Sequence, residues 1–146
     1  MMQGVLLDTN VLSELMRPQP SVAVLDWFAQ QAEAEFYTSA ITQAELLLGV
    51  ALLPGGKRRD AIADAIEQMF DQDFAGRCLP FEELAAHEYA ALVACRNKAG
   101  MPISTEDAQI AAIALRNNLI LATRNSKDFR NISGLVLLDP WQGKNR

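Results

Sequence analysis

Cysteine, histidine and net positive charge are all scarce in this chain, and each shortage removes a class of explanation. Its two cysteines, Cys78 and Cys95, lie in apolar surroundings with no second Cys or His at metal-ligand spacing, so neither a disulfide framework nor a zinc site is expected. Both read as core thiols suited to a reducing compartment. The lone histidine, His87, falls in a helical stretch without an acid or thiol partner, which removes imidazole-based catalysis. With 13 Lys and Arg against 18 Asp and Glu, the net charge of -5 excludes a broad basic face as the basis for binding nucleic acid. No apolar run is long enough to span a bilayer, and the start Met-Met-Gln-Gly-Val-Leu-Leu-Asp lacks the basic region of a signal peptide. A cytoplasmic protein without membrane contact is expected. A phosphate loop is also missing: Gly55-Gly56-Lys57 lacks the earlier Gly and the following Ser or Thr, and Lys57-Arg58-Arg59 reads as a solvated helix start.

What is present is the material of one domain. The 146 residues are 50% hydrophobic and 21% charged, enough to bury a core, and no repeat, low-complexity tract or linker divides residues 1–146. Gly4 to Leu7 is a short apolar run that stops at Asp8-Thr9-Asn10, as a buried strand would. Helical turns over Val11 to Met16 end at Arg17-Pro18-Gln19-Pro20, and Ser21 caps a helix through Gln31 with Val24, Leu25 and Phe28 facing inward. Glu35 to Ile41 has the residue types of a strand. Thr42, with Glu45 three positions later, has the form of a capping box opening a helix towards Leu53, with Glu45 in its first turn.

Further on, Lys57 to Phe74 is an amphipathic helix, Cys78 to Phe81 a brief strand, and Glu82 to Ala99 a helix closed by Gly100 and Pro102. Ser104 caps the next helix, which places Asp107 in its first turn and Ile110, Ile113, Ala114 and Leu115 inside. Leu119 to Ala122 is a strand ending at Thr123-Arg124-Asn125, and Leu135 to Leu138 a final short strand. Apolar strands alternating with amphipathic helices predict an α/β fold, a central parallel β-sheet with helices on both faces.

In such sheets functional groups gather at the carboxyl ends of the strands. That rule brings together Asp8, Glu45, Asp107 and Asp128, although each alone has an ordinary reading as a cap, turn or first-turn acid. Carboxylates crowded in one pocket repel one another unless a cation joins them. An all-carboxylate set favours a hard octahedral ion, magnesium or alternatively manganese, and suits phosphodiester hydrolysis. Arg124, Lys127 and Arg130 stand near the last of these acids. The competing reading is a non-catalytic, receiver-like module whose acidic pocket binds magnesium and accepts a phosphoryl group, with Lys127 as its lysine.

Four segments in order, Leu-Leu-Asp8-Thr-Asn-Val-Leu-Ser-Glu, Ala-Glu45-Leu-Leu-Leu-Gly, Asp107-Ala-Gln-Ile-Ala-Ala-Ile-Ala and Leu-Ala-Thr-Arg-Asn125-Ser-Lys-Asp128-Phe, resemble the PIN-domain family, and more narrowly the VapC and FitB-like toxins of type II toxin–antitoxin modules. The resemblance covers almost the whole chain. It implies a PIN fold, magnesium-dependent endoribonuclease activity on RNA, a homodimer, and inhibition by a small cognate antitoxin. Carried over by motif, Asp8, Glu45 and Asp107 are the first three acids. The last belongs to the segment after Thr-Arg, where Asn125 and Asp128 both stand; Asp128 is assigned as the carboxylate, with Asn125 and Thr9 in supporting hydrogen-bond roles.

Overall fold

The computed structural model describes residues 4–142. Its elements run β1 (Gly4–Leu7), α1 (Thr9–Leu15), α2 (Val22–Gln30), β2 (Glu35–Ser39), α3 (Ala40–Ala51), α4 (Lys57–Gln68), β3 (Cys78–Leu79), α5 (Glu83–Lys98), α6 (Thr105–Arg116), β4 (Ile120–Ala122) and β5 (Leu137–Leu138). A π turn, Met69–Asp73, extends α4, and short 3-10 turns cover Ser126–Phe129 and Pro140–Gln142.

The five strands are parallel in the order β3-β2-β1-β4-β5, with Leu6 opposite Tyr37 on one side and Leu7 opposite Ala122 on the other. A receiver places its second strand at the sheet edge. Here β2 is internal, flanked by β1 and β3, so the topology departs from the receiver-like alternative.

Alternation along β1 separates two cores. Leu6 joins Leu121 of β4 beneath α5 and α6, against Ala85, Leu92, Ile110 and Ile113. Val5 and Leu7 point the other way, towards Val11, Leu12, Trp27 and Ile66 of α1, α2 and α4. Because side chains alternate across a strand, a wholly apolar β1 requires helices on both faces, and each such buried residue contributes about 1.5–3 kcal/mol.

Several local expectations need correction. Within α2 Val24 faces inward as expected and Phe28 packs partly buried against the core, but Leu25 is 45% exposed and Trp27 takes its place on the inner stripe. Cys95 is exposed, because the inner face of α5 is set by Ala85, Leu92 and Arg96; Cys78 is partly buried, as expected of a core-edge thiol. The strand expected to reach Ile41 stops at Ser39, and that residue, not Thr42, caps α3: Ser39 Oγ accepts the Thr42 N–H at 3.1 Å. Glu45 therefore stands in the second turn of α3. The expected end of α5 is found, with Gly100 at φ 73 supplying the left-handed residue that terminates it.

Candidate active site

The sheet reverses its direction of winding between β1 and β4, and the cleft lies outside their carboxyl ends, where open α/β sheets place ligands. Asp8 follows β1 directly. Its backbone N–H continues the sheet by donating to Ala122 O at 2.9 Å, while its side chain caps α1 by accepting the Thr9 N–H at 2.8 Å. Thr123 Oγ1 donates to Asp8 Oδ2 at 2.7 Å, and Asn10 Nδ2 to the same oxygen at 3.1 Å. Asp8 is only 4% exposed. Burial pushes its pKa above the ordinary value, opposed by the hydrogen bonds from Thr123, Thr9 and Asn10, and the charge of Glu45 adds to the rise.

Asp107 comes to the cleft in the first turn of α6, where Ser104 Oγ accepts its backbone N–H at 3.2 Å. Its carboxyl is pushed up from 3.8 to about 6, first by burial and then by the charge of Asp8, with further contributions from Asp128 and Glu45. Four acids that are far apart along the chain are thus close enough for their charges to act on one carboxyl.

Glu45 is exposed on α3 and accepts a hydrogen bond from Thr9 Oγ1 at 2.5 Å; the same hydroxyl lies 3.0 Å from Thr42 Oγ1. Thr9 thereby ties α1 to α3. Asn125 lines the cleft, and its backbone N–H donates to Thr123 Oγ1 at 3.0 Å, so Thr123 is fixed from one side while it donates to Asp8 from the other. Asp128 does not line the cleft. It is exposed on the turn Ser126–Phe129, near enough to raise the pKa of Asp107.

Motif reading missed four residues here. Thr123 and Asn10 hold Asp8, and Asn10 Oδ1 also accepts the Arg124 N–H at 3.2 Å. Glu14, 6% exposed, accepts the Ser21 N–H at 2.7 Å and pairs with Arg17; the Ser21 hydrogen bond first, and Arg17 after it, hold its carboxyl below the usual range. Arg96, 4% exposed, donates to the carbonyls of Met101, Asp128 and Arg130, pinning the turn that carries Asp128. A Glu-x-x-Arg pair in a helix hinted at Glu14; the sequence around Arg96 gave no sign of its carbonyl contacts.

The cleft has a volume of about 510 Å³ and is lined by Asp8, Glu45 and Asp107 together with Arg17, Arg124 and Trp141 among others. Among the described residues no three His, Cys, Asp or Glu side chains close into a metal cage by themselves. That arrangement, with oxygen donors only, fits an ion that keeps several waters and takes one or two carboxylates.

The sequence profile of the PIN domain matches residues 5–135. The chain belongs to the PIN-domain family. Among PIN proteins it is 42% identical to the toxin FitB of Neisseria gonorrhoeae over 137 residues, covering 94% of this chain and 98% of that one. It is 41% identical to the VapC ribonuclease Y4jK of Sinorhizobium fredii, covering 94% and 98%. The crystal structure of FitAcB from Neisseria gonorrhoeae superposes on this PIN fold with a TM-score of 0.85 at 42% identity, covering 94% of this chain and 98% of that one. The expected α/β PIN fold and the VapC and FitB-like grouping are both found.

Proposed function

We propose that this PIN protein is a magnesium-dependent endoribonuclease, the toxin of a type II toxin–antitoxin module, acting in the cytoplasm. One observation carries the reading: a buried, triply hydrogen-bonded Asp8 beside an Asp107 whose carboxyl is raised to about 6 by burial and then by its acidic neighbours. Holding anions together in this way is unfavourable without a cation, and the donor set selects a hard one. Family use of a divalent metal agrees with that chemistry, and magnesium is the ion we assign.

Asp8 and Asp107 are the residues that would hold the ion, and Thr123 and Asn10 keep Asp8 oriented for it. When bound, such an ion polarises a phosphoryl oxygen and lowers the pKa of water. We assign Glu45, fixed by Thr9, to orient the attacking water and receive its proton, with Asp128, on its Arg96-pinned turn at the margin of the cleft, contributing through its charge. The water oxygen forms the new bond to phosphorus as the bond to the leaving ribose oxygen breaks. Asn125 and Thr9 act in support.

A small antitoxin is the partner we assign, in line with the solved FitAB and VapBC-1 structures that this fold resembles. The exposed Leu47, Leu48 and Leu52 of α3 offer apolar surface of the kind partners cover. We read residues 1–146 as a single PIN domain that forms a homodimer, measurable by light scattering. Among the described residues no helix is long and apolar enough to cross a membrane.

The deciding experiment is RNA cleavage with magnesium and with chelator, using wild type, Asp8→Asn and Asp107→Asn. Cleavage by wild type alone, abolished by chelator, is the expected result. Full activity of Asp8→Asn would overturn the site.

A further inference from the structure

An acidic cleft that cuts RNA must also attract RNA, and its acids work against that. Two cationic side chains line it, Arg17 and Arg124. Their situations differ. Arg17 is paired, with Nη1 3.2 Å and 3.3 Å from the two carboxylate oxygens of the buried Glu14. Arg124 has no carboxylate partner among the described residues, although it stands in a cleft lined by several of them. Its guanidinium lies over the indole of Trp141, with Cζ 4.9 Å from the ring centroid.

Both ends of Arg124 are fixed. Its backbone N–H donates to Asn10 Oδ1 at 3.2 Å, which ties it to the residue that also orients Asp8. Trp141 sits in the turn Pro140–Gln142, which packs against α2, and its ring joins the core beneath α1, α2 and α4. Stacking on a ring face holds a guanidinium without using the N–H donors that lie in its own plane. Those donors form the planar fork that binds phosphate in bidentate fashion. An arginine serving only structure in this cleft would be expected to pair with an acid, as Arg17 does. Arg124 instead makes no ion pair within 4 Å among the described residues, although its charge reaches Glu14, and its fork is left unspent.

We propose that Arg124 binds a phosphate of the RNA strand next to the one cleaved, and that Trp141 is its positioning residue. This rests on the ribonuclease reading above and adds the contact through which the strand is held. Of the two cations in the cleft, Arg124 is the one without an ion-pair partner, so it gives a chain of net charge -5 a phosphate contact without a basic face.

The test uses a short RNA oligonucleotide with wild type, Arg124→Ala, Arg124→Lys, Trp141→Leu and Trp141→Phe. Cleavage is measured in magnesium at several salt concentrations, alongside oligonucleotide binding by fluorescence anisotropy in calcium. Arg124→Ala should raise KM about tenfold with a smaller change in kcat, and should reduce the slope of log affinity against log salt by about 0.7, one phosphate contact on a single strand. Arg124→Lys should recover part of the affinity, because charge remains but the fork is lost. Trp141→Leu should shift KM in the same direction, and Trp141→Phe, which restores an aromatic face, should rescue it. Arg124 is exposed and makes no side-chain hydrogen bond among the described residues, so its variants should melt like wild type and keep the test open even if Trp141→Leu fails to fold. Wild-type KM and salt slope in Arg124→Ala, or a fall in kcat alone, would overturn the phosphate contact and leave the ribonuclease standing. Absence of cleavage and of binding by wild type would remove both.

Discussion

Asp8 is sunk into the protein under three hydrogen bonds and Asp107 is half-buried beside it, whereas Glu45 and Asp128 are exposed. The inner pair is charged at a cost: burial raises both pKa values. The outer pair is steered from the surface, Glu45 directly by the Thr9 hydroxyl and Asp128 through Arg96 pulling on backbone carbonyls. The difference assigns the inner acids to holding a cation and the outer ones to managing water and protons. It also predicts how unequal their losses will be.

The largest effect should come from Asp8→Asn. It keeps the shape but removes the charge on which the cation depends, so cleavage should fall by roughly a thousandfold or more, several kcal/mol in the transition state. Circular dichroism should show a folded protein. Next, Arg96→Met should cost about 3 kcal/mol, because carbonyls of Met101, Asp128 and Arg130 lose a charged donor, and should lower Tm by roughly 10 °C. Its activity loss should resemble that of Asp128→Asn if the arginine serves the turn. Thr123→Val leaves Asp8 charged but less firmly held, and should weaken magnesium affinity about 10- to 100-fold by calorimetry. Glu45→Gln and Asp128→Asn should each lose only about tenfold in kcat. A larger loss from these than from Asp8→Asn would invert the assignment.

The pH dependence of stability sharpens the same contrast. Because the folded pKa of Asp107 lies near 6 and its ordinary value is 3.8, the native state holds that proton more tightly than the unfolded chain does. Stability present below about pH 4 is therefore lost as pH rises through 6, and Asp8, also raised, adds in the same sense. Thermal melts of the metal-free protein should fall over this window, less steeply in Asp107→Asn, and excess magnesium should offset the loss.

Much of this arrangement could be read from the sequence where one signal governed one outcome. The apolar run ending at Asp8 reads as a buried strand, and Ser104, three residues before Asp107, reads as the cap that opens α6, as the structure has it. Reading failed where two residues competed for a role. Ser39 and Thr42 can both cap, and Glu45 three positions after Thr42 imitated a capping box; in the fold Ser39 takes the cap and Thr42 turns its hydroxyl to Thr9. Arg96 and Thr123 were hidden for another reason: the contacts that matter, Arg96 to the carbonyls of Asp128 and Arg130 and Thr123 to Asp8, span more than 30 residues, beyond the reach of local pattern.

The Thr123 to Asp8 hydrogen bond joins positions 115 residues apart, and Trp141 closes on α2 from later still. A growing chain on the ribosome therefore carries Asp8, already held by Thr9 and Asn10, for most of its synthesis without the Thr123 hydroxyl that completes its hydrogen bonds. The cleft, with Arg124 and Trp141 in its lining, is assembled only when nearly all of the chain has been made.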